Sequence, residues 1–213
     1  MRGEGTTKNV ISRFLYNLYA LDVGLLRKIV LSCVKKMEGG ELYSSTLREI
    51  YSSYHQIQIG LYSYGGCFSL DHVPPGTIFG RYCSVASNVS ILSGNHPLNF
   101  KSLHPFFYNP ALGYVDHLLI NRTQLTVEND VWLGRNVTIL PSVSRIENGA
   151  VIGAGSVVTK NVPAFAVLAG NPARLIKYRF SDDRKRKIAE SAWWNKDLDD
   201  LKDDFASFMV PYE

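Results

Sequence analysis

Apolar residues recur through the middle of the chain every six positions, rather than every two or every three to four. The series runs Phe79, Val85, Ile91, resumes at Val127, Leu133, Ile139, slips by one residue, and continues Ile146, Ile152, Val158. Four residues after each member except Ile91 sits a small or β-branched side chain: Cys83, Val89, Val131, Val137, Val143, Ala150, Ser156, Val162. The residue just after each member is often small or acidic, as at Gly80, Ala86, Glu128, Gly134, Glu147 and Gly153. An ordinary strand-rich domain alternates with period two and spaces its turns irregularly. A six-residue unit instead makes a short extended strand and a sharp corner, and three units close a triangular coil. The recurring apolar residue then points into the prism and stacks on its equivalent one coil away. Glycine just after it is expected to form the corner, where unusual backbone angles are needed. Val73 keeps the spacing before Phe79, and Ile59-Gly60 opens an earlier strand, so the coil is expected to start near Tyr54.

The flanks follow other rules. In residues 1–54, Leu25, Ile29 and Val30 share one helical face, Leu47, Ile50, Tyr51 and Tyr54 another, with Gly39-Gly40 between them. The spacing predicts a small helical region that covers the open end of the coil; a membrane-surface or partner-binding role is the alternative. Residues 92–126 interrupt the repeat with Asn95-His96-Pro97 and the run His104-Pro105-Phe106-Phe107-Tyr108. A long insertion in a regular repeat is where binding and catalytic residues concentrate. The repeat ends near Gly170-Asn171-Pro172. Ser181-Asp182-Asp183 then signals a helix start, and Leu198, Leu201, Phe205 and Phe208 mark a helical face. Trp193-Trp194 is expected to pack that helix against the coil or a neighbouring subunit. The expected organisation is a helical region over 1–54, the coil over 55–180 with its insertion at 92–126, and a C-terminal helical segment over 181–213.

Composition narrows the function. The 213 residues are 46% hydrophobic and 20% charged, the balance of a folded globular chain. A net charge of +4 is too small to argue for nucleic acid, though a local excess would favour an anionic ligand. Cys33, Cys67 and Cys83 form no CxxC pair and no metal-ligand spacing, which suits free thiols in a reducing compartment; the cytoplasm is the expected location. The best apolar stretch, Val23 to Val34, is short and broken by Arg27 and Lys28, so neither a membrane span nor a signal peptide is expected.

Five stretches, in this order, resemble the landmarks of the hexapeptide-repeat acetyltransferases. They are 77–86 (Thr77 to Ala86), Gly94-Asn95-His96-Pro97, Asn129-Asp130-Val131-Trp132-Leu133-Gly134, 152–160 (Ile152 to Lys160), and Ala169-Gly170-Asn171-Pro172-Ala173-Arg174. The likeness covers roughly residues 57–180. It is greatest to the xenobiotic group (type B chloramphenicol and streptogramin acetyltransferases) and to the polysaccharide O-acetyltransferases; galactoside and maltose acetyltransferases share the same landmarks. The resemblance implies a mainly β fold, a left-handed parallel β-helix with an inserted active-site loop. The hand comes from the family alone, since spacing does not fix it and the usual crossover is right-handed. The resemblance also implies acetyl-CoA as co-substrate, no metal, a homotrimer with sites between adjacent prisms, and direct attack of an acceptor hydroxyl on the thioester.

Residue by residue, the likeness assigns roles to chemistry that acyl transfer needs. A protonated alcohol is a poor nucleophile, and His96, in the matching loop position, is the expected general base. Its orienting partner is a backbone carbonyl or an acid such as Asp116. The Gly134 amide is the candidate donor to the developing oxyanion, and Trp132 a wall for the pantetheine tunnel or a trimer contact. Ala154, Thr159 and Lys160 match the family's CoA positions; Arg174 and Lys177 match those that hold the nucleotide phosphates. Asn95, His104, Phe106 and Tyr108 are the expected acceptor-binding residues, their aromatics suited to stack on a sugar ring. Two departures from the galactoside type, the pair Gly65-Gly66 and the extra residue near Arg145, bear on the acceptor. The expected reaction is O-acetylation of a sugar or polysaccharide precursor. The alternatives are antibiotic acetylation and N-acetylation of an amino sugar. A zinc hydratase on the same coil would want closely spaced corner histidines, which 96, 104 and 117 are not. A non-catalytic binding β-helix would not need His96, Trp132, Lys160 and Arg174 together.

Overall fold

The computed structural model describes residues 10–211. Residues 1–9 of the expected helical region and residues 212–213 of the expected C-terminal segment lie outside the described residues. The chain opens with α1 (Val10–Tyr19), α2 (Gly24–Met37) and α3 (Ser45–His55). Two-residue strands follow: β1 (Gln58–Ile59), β2 (Tyr64–Gly65), β3 (Ile78–Phe79), β4 (Ser84–Val85) and β5 (Ser90–Ile91). Beyond the insertion come β6 (Thr126–Val127), β7 (Trp132–Leu133), β8 (Thr138–Ile139), β9 (Arg145–Ile146), β10 (Val151–Ile152) and β11 (Val157–Val158). The longer β12 (Ala166–Gly170) and β13 (Ala173–Tyr178) close the series.

Successive strands visit three sheets in turn. The sheets are ordered β1-β3-β6-β9, β13-β12-β10-β7-β4-β2 and β11-β8-β5, and every pairing except β12 with β13 is parallel. No two-residue strand is stable alone; each is held by ladder bonds to the coil beyond it, as in Gly80 N–H to Val127 O (2.7 Å) and Trp132 N–H to Ala150 O (2.9 Å). Every member of the six-residue series from Phe79 to Val158 is buried, and so are the residues four further on, except after Ile91, where the insertion begins and Asn95 is exposed. Full burial of such a side chain contributes about 1.5–3 kcal/mol, so the stacked series is the main source of cohesion.

The corners differ from expectation. Gly134 has no positive φ; instead, a Cβ placed there would lie 2.6 Å from Ala154 N on the next coil. Coils stack at strand spacing, about 4.8 Å, which leaves no room for a side chain where the next backbone curves in. The left-handed corners fall three residues after the beat, at Tyr82, Asn88, Asp130, Asn136, Gly149 and Gly155, mostly residue types that tolerate that region.

The N-terminal helices pack on the first coil. Ser44 Oγ accepts from Leu47 N–H (3.0 Å) to cap α3, which buries Leu47, Ile50 and Tyr51. Arg48 spans helix and coil, donating to the carbonyls of Ser44, Gly60 and Ser63 at 2.8, 3.0 and 2.9 Å, and burial lowers its pKa to about 10. In α2 the buried pair is Val30 and Val34, whereas Leu25 and Ile29 are exposed; the expected shared face is split because α1 and α3 cover only the Val30 side.

Glu38 ties α1 to the start of α3. Its carboxylate accepts from Ser12 Oγ (2.7 Å), Ser44 Oγ (2.6 Å), Thr46 Oγ1 (2.6 Å) and Thr46 N–H (3.0 Å). Burial pushes this carboxyl up, but the hydrogen bonds outweigh it and hold the pKa below the usual 4.5. A depressed acid stabilises the fold fully above its unfolded value and stops doing so as pH falls through the folded one. The melting temperature is therefore expected to drop with acidification below pH 4.5, and Glu38→Gln to make that limb shallower. Parallel acid limbs for the two proteins would contradict this.

At the other end, residues 173–178 form the antiparallel β13 rather than another turn of the coil, so parallel stacking ends at Gly170. The expected face Leu198–Phe208 is not one helix. After α4 (Asp182–Ser191) the chain turns at Trp193–Asn195 and Lys202–Asp204, and only Phe205–Met209, α5, is helical. The turns let Trp193 stack on Tyr82 (4.9 Å between ring centres), bury Trp194, and bring Lys196 O to Tyr82 Oη (2.7 Å). The tryptophan pair thus packs on the coil.

Candidate active site

The insertion leaves the coil after β5 and returns at β6, and Thr123 N–H to Ser93 O (2.7 Å) ties its stem. Proline shapes its middle: turns at Pro105–Phe107 and Pro110–Leu112 are capped by the side chains of His104 and Asn109. Leu119 N–H then donates to Tyr108 O (3.0 Å), folding the loop back on itself.

This folding fixes His96. Its Nδ1 lies 2.7 Å from Leu103 O and 2.8 Å from Tyr108 Oη, with the Tyr108 ring edge-on at 5.7 Å. A carbonyl can only accept, so the contact with Leu103 requires the proton on Nδ1. In the neutral ring that tautomer places the lone pair on Nε2, and the ring stands exposed. That is the state of a general base. Of the two partners expected for the ring, the backbone carbonyl is the one present; Asp116 is exposed and makes no hydrogen bond to His96. Tyr108, expected on the acceptor, is buried, with its hydroxyl on His96 Nδ1. Removing its hydroxyl in Tyr108→Phe forfeits one neutral hydrogen bond, about 0.5–1.5 kcal/mol, while Leu103 O still holds the ring. With His96 as the base of a transfer reaction, kcat is expected to fall by about two- to tenfold and the acyl-donor KM to stay unchanged; a rise in KM alone would contradict it.

Beside His96 opens a cleft of about 380 Å³, lined by Asn95, Pro97, Leu119, Ile120, Asn121, Thr123, Pro141 and Ser142. His104, Phe106 and Tyr114 form an exposed aromatic stack, with ring centres 4.4 and 5.0 Å apart in turn. A second cleft, of about 340 Å³, places Lys160 and Arg174 together with Asn161, Pro163, Leu168, Ala173 and Leu175. Lys177 stands nearby on β13. Residues three apart on a regular strand face opposite ways, but a register shift pairs Arg174 with Ala169 and Lys177 with Val167. Because Ala169 and Val167 are two apart, both cations lie on one face.

No family model matches the chain. Over 131 residues it is 38% identical to a chloramphenicol acetyltransferase of Klebsiella aerogenes, covering 59% of this chain and 62% of that protein. It is 35% identical over 125 residues to a "Probable macrolide acetyltransferase" of Lysinibacillus sphaericus, covering 55% of this chain and 68% of that protein. This chain is a member of the hexapeptide-repeat acetyltransferase family. Another member, the galactoside O-acetyltransferase of Escherichia coli K12, is 35% identical over 130 residues, covering 60% of this chain and 57% of that protein. The chain thus spans less than two thirds of the first of these relatives.

Within this acetyltransferase fold the remaining expected residues divide. Trp132 is exposed on β7, flanked in register by Ser84 and Val151. Ala154 is exposed at the corner after β10, and Thr159 is half-buried, its carbonyl accepting from Ser142 Oγ (2.8 Å). Gly134 corrects expectation: its N–H donates to Ile152 O (2.8 Å), so the ladder occupies the amide assigned to the oxyanion. Sequence reading missed the hold of Tyr108 on His96 and the contribution of Asn121, Thr123 and Ser142 to the cleft. None carries a local signal, since each reaches the site only through the folding of the insertion.

Proposed function

We propose that the chain is an acetyl-CoA-dependent O-acetyltransferase acting on a hydroxyl of a sugar or polysaccharide precursor. The observation that carries this reading is the His96 ring, held at Nδ1 by Leu103 O and Tyr108 Oη on the loop whose flanking residues Asn95 and Pro97 line the cleft. Nε2 takes the acceptor proton as the acceptor oxygen attacks the thioester carbonyl; collapse of the tetrahedral adduct breaks the C–S bond, and the proton passes from Nε2 to the departing CoA sulfur, which restores the neutral ring. The cleft lining is polar and uncharged at Asn95, Asn121, Thr123 and Ser142, matching a polyhydroxylated neutral acceptor, and the stack of His104, Phe106 and Tyr114 offers an aromatic face to a sugar ring. Galactoside O-acetylation by a 35% identical relative supports the same choice.

Residues 55–180 are the catalytic unit, a left-handed β-helix that works as a homotrimer, so that the CoA arm runs between two prisms. Trp132 walls that tunnel, the backbone at Ala154 and Thr159 meets the pantetheine, and Lys160, Arg174 and Lys177 hold the nucleotide phosphates. Losing one charge-assisted contact costs about 1.5–3 kcal/mol, so Lys160→Ala and Arg174→Ala are each expected to weaken CoA by about tenfold or more. Dephospho-CoA, lacking the 3′-phosphate, should be affected much less; equal losses for both ligands would remove the contact with the 3′-phosphate.

A second reading, acetylation of an antibiotic hydroxyl, is favoured by the 38% identity to a chloramphenicol acetyltransferase. Product mass from parallel reactions with glycosides, nucleotide sugars, amino sugars, polysaccharide fragments, chloramphenicol and a streptogramin separates the readings. Turnover of the glycosides or polysaccharide fragments is expected, and turnover of the antibiotics alone would replace the first reading with the second.

A further inference from the structure

The hairpin of α1 and α2 presents a face that acetyl transfer does not use. Val10, Phe14, Leu21, Leu25 and Ile29 are 83%, 62%, 62%, 72% and 51% exposed. Val10 and Phe14 on α1, and Leu25 and Ile29 on α2, are each one helical turn apart, with Leu21 in the turn between the helices, while Tyr19, Val30 and Val34 fill the inner side. Scattered exposed apolar residues are ordinary, but a contiguous set on one face marks an interaction surface.

Charge says what covers it. Residues 10–37 hold five cations, Arg13, Arg27, Lys28, Lys35 and Lys36, against one acid, Asp22. Asp22 is ion-paired with Arg27, and Lys35 with Glu41 (2.6 Å). Glu38 is turned inward on Ser12, Ser44 and Thr46. Lys28 and Lys36 are exposed and have no ion partner among the described residues. Lys36 continues the line of Leu25 and Ile29 along α2, and Lys28 borders it, so the apolar stripe runs between unpaired cations. A second copy laid on this face would bring like charges together.

We propose that this hairpin docks on an anionic phospholipid surface, Phe14 and Leu25 entering the headgroup boundary and Lys28 and Lys36 meeting lipid phosphates. The test is co-sedimentation of the full chain with vesicles of phosphatidylcholine alone or mixed with phosphatidylglycerol. Binding is expected on the anionic vesicles, weakening with added salt. The double variant Phe14→Asp with Leu25→Asp, and separately Lys28→Glu with Lys36→Glu, should each lower partitioning by about tenfold or more. All four side chains face solvent, and circular dichroism checks that each variant keeps its helices. No binding to anionic vesicles, or binding that neither variant weakens, overturns the proposal. So does a drop in oligomer mass by light scattering in the Phe14 and Leu25 variant, which would mean a second copy covers the face.

Discussion

His96→Ala is expected to lower acetyl transfer by about a thousandfold, within the range that a positioned general base supplies, while leaving the fold and CoA affinity intact. The ring is exposed on a loop, so its loss opens no core cavity. Among the described residues its hydrogen-bond and ring contacts are with Leu103 O and Tyr108, both inside the insertion. Lys160 and Arg174, proposed for the CoA phosphates, line a second cleft to which no residue of the insertion contributes. His96→Asn sharpens the test, because its amide keeps a donor near the Nδ1 position without supplying a base. Both variants should bind CoA normally and both should fail in turnover. Near-normal kcat in either would remove His96 from the proton path.

Leu133→Ala carries the largest expected cost in stability. Leu133 is fully buried on β7, in register with Val85 on the coil before and Ile152 on the coil after. Each coil is held only by its neighbours, so the side chain cannot be replaced by a distant element swinging in. Large-to-alanine changes at such sites cost about 2–5 kcal/mol, and in a chain of this size each kcal/mol moves Tm by about 2–4 °C. A drop of roughly 4–20 °C follows from these ranges. A melting point indistinguishable from the parent protein would mean that the stacked series is not what holds the prism together.

The six-residue series was fully legible because burial repeats it without exception, including the slip between Ile139 and Ile146. The reason for glycine was not. Gly134 serves the close approach of the next coil, and the left-handed corners sit at residues such as Asp130 and Asn136; spacing alone cannot separate tight packing from unusual φ. Helical spacing found α2 but put Leu25 and Ile29 on its inner face. Periodicity gives a stripe, and only the neighbours decide which edge of the stripe is covered. The break of the C-terminal segment into turns follows from Trp193 seeking Tyr82, a contact between residues far apart in sequence. In the site, His96 stood out through its flanking residues, whereas Tyr108 reaches it only because two proline turns fold the insertion back.

The central claim is that this chain carries an acetyl group from acetyl-CoA to an acceptor hydroxyl with His96 as base. The most direct measurement is free-thiol release from acetyl-CoA by the pure protein, with and without a glycoside acceptor, beside His96→Ala. Release that requires the acceptor and disappears in the variant is the predicted result. Acceptor-dependent release that persists undiminished in His96→Ala would contradict the claim.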